Sequence, residues 1–324
     1  MKPNARPNAE ANAEPNAELH AEQNTEPCDD KAPNGSRSFG DALSPWLFLA
    51  PALLIFLYFK FIPMLRGVQM SFYKVSFGDA DEWVGWDNFV RVFTEEALRN
   101  AAGRTLFYVL VTVTLSACIG LLLAQALQGT ARHMRILRTA MFLPAVTSAA
   151  VVAEIWRILY APTPAGVVNT VISWVGMAPQ GFFSNPDQAL AALMGMHVWK
   201  HVPYDTVIFV AGLAGVNREL HDAAAVDGAN AWHRFVHVTL PGLAPAITVV
   251  LTLGCIRGFR VFTEVYATTG GGPAGSTEVV MTHIYKQGFQ ELDFGYAAAA
   301  STVLFLFTAM ATAVFLAWRR SGKQ

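Results

Sequence analysis

Four ionisable side chains lie close together in an otherwise apolar part of the sequence: His197, Lys200, His201 and Asp205. Residues four apart share one face of a helix, so His197 aligns with His201, and His201 with Asp205. Such groups are costly inside an apolar helix and usually face a cavity or each other. Two interpretations are open: contact with a polar solute, and polar packing between helices. With the neighbouring aromatic residues, the candidate solute-contacting set is His197, Trp199, Lys200, His201, Tyr204 and Asp205.

A second ionisable set consists of Arg257, Arg260 and Glu264, at spacings of three and four. On a continuous helix, Arg260 and Glu264 would share a face. We therefore expect them to form a structural ion pair rather than to contact a solute. Glu154 and Arg157, three residues apart, receive the same interpretation.

Sequence patterns typical of catalysis or phosphate binding are missing. There is no Gly-x-x-x-x-Gly-Lys-Ser/Thr loop, nucleophile elbow or His-Glu-x-x-His helix. Cys28, Cys118 and Cys255 have neither metal-ligand spacing nor the pattern of a disulfide framework. We expect no catalytic residue, no metal site and no cofactor bound by this chain. Energy for any active process must then arrive through contact with another protein.

The composition indicates a membrane protein with a polar N-terminal tail. Of 324 residues, 53% are hydrophobic and 15% are charged, whereas soluble domains carry about 25% charged residues. Residues 1–40 repeat Pro-Asn-Ala and Asn-Ala-Glu units with few large apolar side chains. Such a segment buries too little surface to offset its ordering entropy, so it is predicted to be a disordered, low-complexity tail. Residues 41–324 form the predicted membrane domain.

Six stretches are long and apolar enough to cross a bilayer, which requires about 20 residues. Their approximate ranges are 45–65, 105–127, 139–160, 189–216, 242–262 and 297–318. The sequence therefore predicts an all-α integral membrane protein with six spans. The ionisable residues from His197 to Asp205 lie in the fourth span, with Lys200 near its midpoint.

Basic residues in short loops indicate the orientation, because they favour the cytoplasmic side. Arg132, Arg135 and Arg138 lie between spans two and three, and Arg319, Arg320 and Lys323 follow span six. The loop between spans three and four contains no Lys or Arg. Both termini are therefore predicted to be cytoplasmic, as is the segment 217–241 between spans four and five.

Segment 217–241 has the pattern of two short helices joined by a glycine turn. Asn217 can cap a helix that starts at Arg218, and Gly228 can end it in the left-handed conformation. Asn230 can cap a second helix, and Pro241 is expected at the start of span five. The first helix presents small residues on one face, which permits close approach of another surface.

The same segment resembles the cytoplasmic coupling loop, or EAA loop, of ABC-importer permeases. The resemblance rests on Asp222-Ala223-Ala224, Asp227-Gly228-Ala229 and Pro241, with Asp222 where the family usually has Glu. The Thr269–Pro273 run and the Gly295–Ala299 run are similar to the end of sugar permeases of this family. The resemblance covers roughly residues 45–320. It implies ATPase-coupling roles for Leu220, Asp222, Ala223, Ala224, Asp227, Gly228, Ala229 and Pro241.

This resemblance implies a six-transmembrane-helix ABC importer permease fold with a cytoplasmic coupling helix between spans four and five. The implied function is that of a permease subunit, not an enzyme, in a prokaryotic cytoplasmic membrane. The implied partners are ABC ATPase subunits that hold ATP and magnesium, a second permease and an external solute-binding protein. The implied solute is a sugar, oligosaccharide or polyol derivative. The alternative is an ion-coupled secondary transporter that uses Lys200, His201 and Asp205, although no internal duplication supports it.

Overall fold

The computed structural model describes residues 39–75, 80–127 and 132–321, which are mostly helical. The predicted tail lies outside these residues except for Phe39 and Gly40, which begin the first helix. A first compact unit ends at Tyr58, and Phe59 begins the second unit, which contains all elements from α2 onward. The α-helices in chain order are α1 (Phe39–Phe56), α2 (Ile62–Met70), α3 (Asp87–Thr94), α4 (Glu96–Ala126), α5 (Arg132–Val146), α6 (Ala149–Leu159), α7 (Val167–Ser173), α8 (Pro186–Ala214), α9 (Arg218–Val226), α10 (Ala231–Arg234), α11 (Leu240–Gly242), α12 (Ala244–Phe259), α13 (Thr263–Thr268), α14 (Val280–Tyr285) and α15 (Phe294–Ser321).

Shorter elements connect some of these helices. π-helical turns occur at Leu57–Phe61, Phe235–Thr239 and Lys286–Gln290, and a 3₁₀ turn occurs at Phe182–Ser184. Two short antiparallel strands, β1 (Tyr73–Lys74) and β2 (Glu82–Trp83), form a ribbon before α3.

Membrane-spanning candidates are fewer than the six predicted stretches. Trp46–Met70, Glu96–Ala126 and Phe294–Arg319 are long and apolar enough to span, and two bent helix pairs raise the total to five within the described residues. Helix α8 is 29 residues long but is not among them. Its central charged and histidine side chains lower its hydropathy, which is why length and composition alone do not identify it.

The predicted third span is broken rather than continuous. Helices α5 and α6 meet at an angle of 99°. Pro144 lies in the last turn of α5, and the Ser148 side chain accepts a hydrogen bond from the Val151 backbone N–H at the start of α6. A proline that removes a helical hydrogen bond and a serine that begins a new helix together account for the break.

The start of the predicted fifth span also requires correction. Its main helix, α12, begins at Ala244, and Pro241 lies earlier, in the short helix α11. The segment Ala231–Gly242 meets α12 at an angle of 66°. Pro241 therefore lies before the bend and does not begin the straight part of the span.

Helices α4, α8 and α12 pack together in the second unit and hold the polar residues of span four in place. Gly120 of α4 lies where an added Cβ would be 3.1 Å from the Cβ of Asp205, so the two helices approach closely. On the side toward α12, Phe209, Leu243 and Val250 are almost completely buried. Small residues at such contacts permit the close helix packing typical of membrane proteins.

Candidate functional site

Glu264 lies at the centre of a buried polar cluster that joins α4, α8 and α13. Its carboxylate is almost fully enclosed, and His197 Nδ1 lies 2.6 Å from Oε2. Lys200 Nζ is 3.5 Å from Oε1, and the hydroxyl of Tyr108 donates to Oε2 at 3.4 Å. An unpaired buried carboxylate would be costly, so these groups stabilise its charge. We refer to Tyr108, His197, Lys200, His201 and Glu264 as the Glu264 cluster.

His201 extends this cluster by one turn of α8. Its ring stacks on that of His197 with centroids 4.0 Å apart. Its Nδ1 lies 2.9 Å from the carbonyl oxygen of His197 and 4.0 Å from Glu264 Oε1. Because the carbonyl oxygen can only accept, the close contact places the proton of His201 on Nδ1.

A separate buried ion pair lies beside the Glu264 cluster. Arg257 of α12 donates to Asp205 Oδ1 of α8 at 2.7 Å, and Asp205 is only 1% exposed. The Arg257 guanidinium also lies 5.9 Å from the centre of the Tyr204 ring. Its Nε atom is buried and has no hydrogen-bond partner in the described part of the chain. The pair therefore neutralises both charges but leaves one guanidinium donor unsatisfied.

A cavity of about 310 Å³ opens between these groups. The end of α12, the residues that follow it and the polar face of α8 form most of its wall. Small-molecule sites range from about 300 to 1,000 Å³, so this volume suits a small ligand or one part of a larger ligand. Its lining residues are Ala149, His197, His201, Ile256, Arg257, Arg260, Val261, Phe262, Thr263 and Glu264.

Three residues of the cluster have the donor types of a metal site. His197, His201 and Glu264 each offer one ligand atom, and these atoms lie within 4.8 Å of one another. The ammonium group of Lys200, however, is already 3.5 Å from Glu264 and would repel a divalent cation. We favour a hydrogen-bonded cluster at this point, and the expected absence of a metal stays a prediction.

The six candidate residues of span four do not form one group. His197, Lys200 and His201 lie together around Glu264, whereas Asp205 pairs with Arg257. The hydroxyl of Tyr204 donates to the carbonyl oxygen of Ala145 at 2.8 Å. Trp199 is 43% exposed and makes an edge contact with Trp156 at 5.7 Å. Of the six, only His197 and His201 line the cavity.

The expected ion pair between Arg260 and Glu264 is wrong. Helix α12 ends at Phe259, and α13 begins only at Thr263, so the two residues do not share a helical face. Glu264 contacts residues of α8 and α4 instead. The other expected pair is confirmed, because Arg157 lies 3.2 Å from Glu154 on the exposed side of α6.

Two features of the site were not apparent in the sequence. Tyr108 is the completely buried hydroxyl donor to Glu264, although the predicted span 105–127 that contains it has no charged residue. In the sequence, the one indication of a polar role for Tyr108 is its phenolic hydroxyl within an apolar stretch. The central position of Glu264 was also missed, since its partners are more than 60 residues away along the chain.

The segment 217–241, which we refer to as the coupling segment, has the predicted caps and glycine turn. The side chain of Asn217 accepts the backbone N–H of Glu219, and that of Asn230 accepts the N–H of His233. Gly228 has a φ of +79°. The N–H groups of Gly228 and Ala229 donate to the carbonyls of Ala225 and Ala224, which is the Schellman arrangement of a helix end.

The coupling segment presents apolar and acidic side chains at its surface. Leu220 is 56% exposed, Val226 is 89% exposed and Trp232 is 69% exposed. Asp222 and Asp227 are also exposed, and neither has an ion-pair partner within the described residues. Exposed apolar groups beside unpaired carboxylates are typical of a surface that contacts another protein.

Comparison with known proteins defines the family of this chain. Residues 116–320 match the family described as "Binding-protein-dependent transport system inner membrane component". The chain belongs to this family. The permease is thus an inner-membrane, multi-pass protein with apolar spans.

Relatives and solved structures agree with this assignment. The permease is 31% identical over 264 residues to the arabinooligosaccharides transport system permease protein AraP of Halalkalibacterium halodurans, covering 81% of this chain and 83% of AraP. It is similar to a chain in the crystal structure of a bacterial ABC transporter that imports the acidic polysaccharide alginate. That match has a TM-score of 0.76 and 26% identity, and it covers 88% of this chain and 99% of the other. A second alginate transporter structure, in complex with an alginate pentasaccharide-bound periplasmic protein, gives a TM-score of 0.72 and 26% identity, covering 87% and 96%.

These findings confirm the predicted type of protein. The permease is a subunit of an ATP-driven ABC importer and is not an enzyme, because ATP hydrolysis resides on a separate subunit. Proteins of this family work with a second permease, an ATPase and a solute-binding protein. The alternative of an ion-coupled secondary transporter finds no support among the matched proteins.

Proposed function

We propose that this permease forms one half of a path for a carbohydrate or polyol derivative, driven by an ATPase at its coupling segment. The observation that carries this proposal is that one chain has both a cavity beside a buried polar cluster and an exposed segment with the coupling pattern. AraP and the alginate transporters carry carbohydrates, which supports this solute class.

The proposed topology contains six spans with both termini in the cytoplasm. Helix α8 serves as the fourth span: its 29 residues extend about 43 Å at 1.5 Å per residue, more than the ~30 Å hydrocarbon core. Helices α5 and α6 together form the third, broken span. Basic residues in the last turn of α15 and in the first half of α5 favour the cytoplasmic side. This orientation places the coupling segment in the cytoplasm.

In this proposal, α9 of the coupling segment docks into a cleft of the ATPase. Leu220, Ala223 and Ala224 supply the contact surface, and Asp222 and Asp227 supply its charge. Gly228 and Ala229 form the turn that separates α9 from α10, and the chain continues through Pro241 to the bend before α12. Movement of the docked helix is thereby transmitted to span five. ATP and magnesium bind the ATPase and not this chain.

The solute passes the cavity beside the Glu264 cluster. His197, His201 and Thr263 line it and supply its imidazole and hydroxyl groups. Lys200 and Asp205 do not line the cavity. Lys200 holds Glu264 in position, and Asp205 holds Arg257. Trp199 and Tyr204 lie outside the cavity wall and are assigned to packing against α6 and α5.

Reconstitution tests the proposed energy source. The permease is incorporated into liposomes with its partner permease, and uptake of solute delivered by the cognate binding protein is measured with and without the ATPase subunit. Uptake is expected only when the ATPase and ATP are both present. Uptake by the permeases alone under an ion gradient would contradict the proposal.

A further inference from the structure

Positive charge exceeds negative charge around the cavity of the Glu264 cluster. Lys200, Arg257 and Arg260 bring three cationic groups to this region, whereas Asp205 and Glu264 bring two carboxylates. His197 and His201 add two further groups that can become positive but not negative. The surroundings therefore favour an anion over a cation.

The ion pairs show which cationic side chain at the cavity is not neutralised by a carboxylate. Glu264 is held by His197 and Lys200, and Asp205 is held by Arg257. Arg260 lines the cavity and is exposed, and it has no ion-pair partner within the described residues. Arg257 also lines the cavity, but its guanidinium is already paired with Asp205, and its Nε is buried. Arg260 thus keeps an uncompensated guanidinium at the cavity, and Arg257 adds positive charge beside it.

We propose that Arg260, with Arg257 beside it, binds the acidic group of an anionic solute in this cavity. The ligand class is a carbohydrate or polyol derivative that carries a carboxylate, sulfonate or phosphate. Guanidinium groups bind such oxyanions with planar, charge-assisted hydrogen bonds. His197, His201 and Thr263 are left for the hydroxyl groups of the same molecule. This inference rests on the proposed function, since it requires the cavity to lie on the solute path.

A cation at this site is the main competing occupant. The ligand atoms of His197, His201 and Glu264 are close enough together to suit one. However, Lys200 already neutralises Glu264, and the guanidinium groups of Arg257 and Arg260 line the same cavity. An incoming cation would meet net positive charge, whereas an oxyanion would be attracted by it.

Charge-selective labelling of the cavity tests this proposal without knowledge of the solute. Thr263→Cys is introduced into a chain whose Cys28, Cys118 and Cys255 are replaced by serine, and the complete transporter is purified in detergent. Rates of modification by sulfonatoethyl methanethiosulfonate and trimethylammonioethyl methanethiosulfonate are measured and normalised to a free thiol. We expect the anionic reagent to react about tenfold faster. A rate ratio that favours the cationic reagent would overturn the proposal.

Second-site variants assign the effect to Arg260. Arg260 is exposed and has no ion-pair partner among the residues that the structure describes, so Arg260→Gln leaves the packing intact. It should lower the preference for the anionic reagent about threefold or more. Arg260→Lys keeps the charge and should retain the preference. Arg157→Gln, which removes a guanidinium paired with exposed Glu154, should also retain it. An unchanged ratio in Arg260→Gln would overturn the assignment.

The ligand carried by the cognate solute-binding protein provides an independent test. Native mass spectrometry of that protein, followed by release and fragmentation of the ligand, should identify a molecule with an acidic group. A neutral ligand would overturn this inference but not the proposed importer, whose ATP-dependent uptake would persist. Loss of ATP dependence would instead contradict the proposed function.

Discussion

The Glu264 cluster and the coupling segment both concentrate polar side chains, but their surroundings differ. In the cluster, the carboxylate of Glu264 is enclosed and contacts groups from two other helices. In the coupling segment, Asp222 and Asp227 face outward without an ion-pair partner within the described residues. Local hydrogen bonds stabilise the segment: two asparagine caps and a glycine turn.

This difference separates residues that stabilise the fold from residues available to a partner. A buried charge must find its partners within the chain, because an unpaired one is costly. An exposed charge is solvated by water, so it needs no partner within the chain and remains available to bind another protein. Substitutions in the cluster should therefore change stability strongly, whereas those in the coupling segment should change assembly or transport while stability changes little.

The largest loss of stability is expected for Asp205→Ala. This change leaves Arg257 without its partner inside the protein, which costs about 3–5 kcal/mol. The free energy of unfolding can be measured by denaturant titration in mixed micelles. Glu154→Ala is the matched control, since it breaks an exposed pair worth about 0–1 kcal/mol. If both variants lost the same free energy of unfolding, burial would not determine how much these two ion pairs contribute to stability.

A smaller loss of stability is expected for Lys200→Ala, which removes one donor from Glu264. The cost of a lost buried hydrogen-bonding partner is about 1–3 kcal/mol. Because the cluster borders the cavity, solute uptake should also fall while association with the ATPase is retained. Lys74→Ala on exposed strand β1 is the control and should leave uptake unchanged. Normal uptake at every solute concentration would assign Lys200 to packing alone.

Gly228→Leu should affect coupling more than stability. A side chain at a φ of +79° introduces strain of about 1–2 kcal/mol, but an added Cβ meets no atom within 4 Å. Gly176 is a close match, with a φ of +77° and equally open surroundings. Both leucine variants should therefore lose similar stability. Only Gly228→Leu should hydrolyse ATP without solute uptake, and a similar defect in Gly176→Leu would indicate a general effect of strain.

The smallest change in stability is expected for Asp222→Asn. An exposed, unpaired carboxylate contributes less than about 0.5 kcal/mol to the fold. Its removal should weaken binding of the ATPase by about tenfold at low salt, equivalent to about 1.4 kcal/mol. Titration of purified ATPase against the permease in nanodiscs measures this affinity. Asp187→Asn, at the opposite end of the α8 region, should not change it.

Local features were predictable from the sequence, whereas contacts between distant residues were not. The caps at Asn217 and Asn230 and the turn at Gly228 depend on residues within one or two turns, so their types and spacing suffice. The cluster depends on α8 meeting α13 and α4, which no local pattern specifies. His197 and Lys200 were thus recognised as unusual, but their shared partner Glu264 was not.

Errors in the predicted spans have local physical causes. Pro144 signals the break between α5 and α6, but the apolar composition of the stretch favoured a continuous helix. The expected Arg260–Glu264 pair assumed that α12 continues past Phe259. Helix α12 instead ends at Phe259 and α13 begins at Thr263, and Arg260 lies in this break, where it lines the cavity.

Protection of the coupling segment by the ATPase would show directly whether this segment is the docking surface. Val226 and Trp174 are both highly exposed, at 89% and 77%, but they are assigned to opposite sides of the membrane. Val226→Cys and Trp174→Cys, each in a chain without other cysteines, are labelled with a hydrophilic maleimide before and after addition of the ATPase to nanodiscs. We expect the ATPase to slow labelling at Val226→Cys about tenfold or more and to leave labelling at Trp174→Cys unchanged. Unchanged labelling at Val226→Cys, or equal protection of the two sites, would contradict docking at the coupling segment.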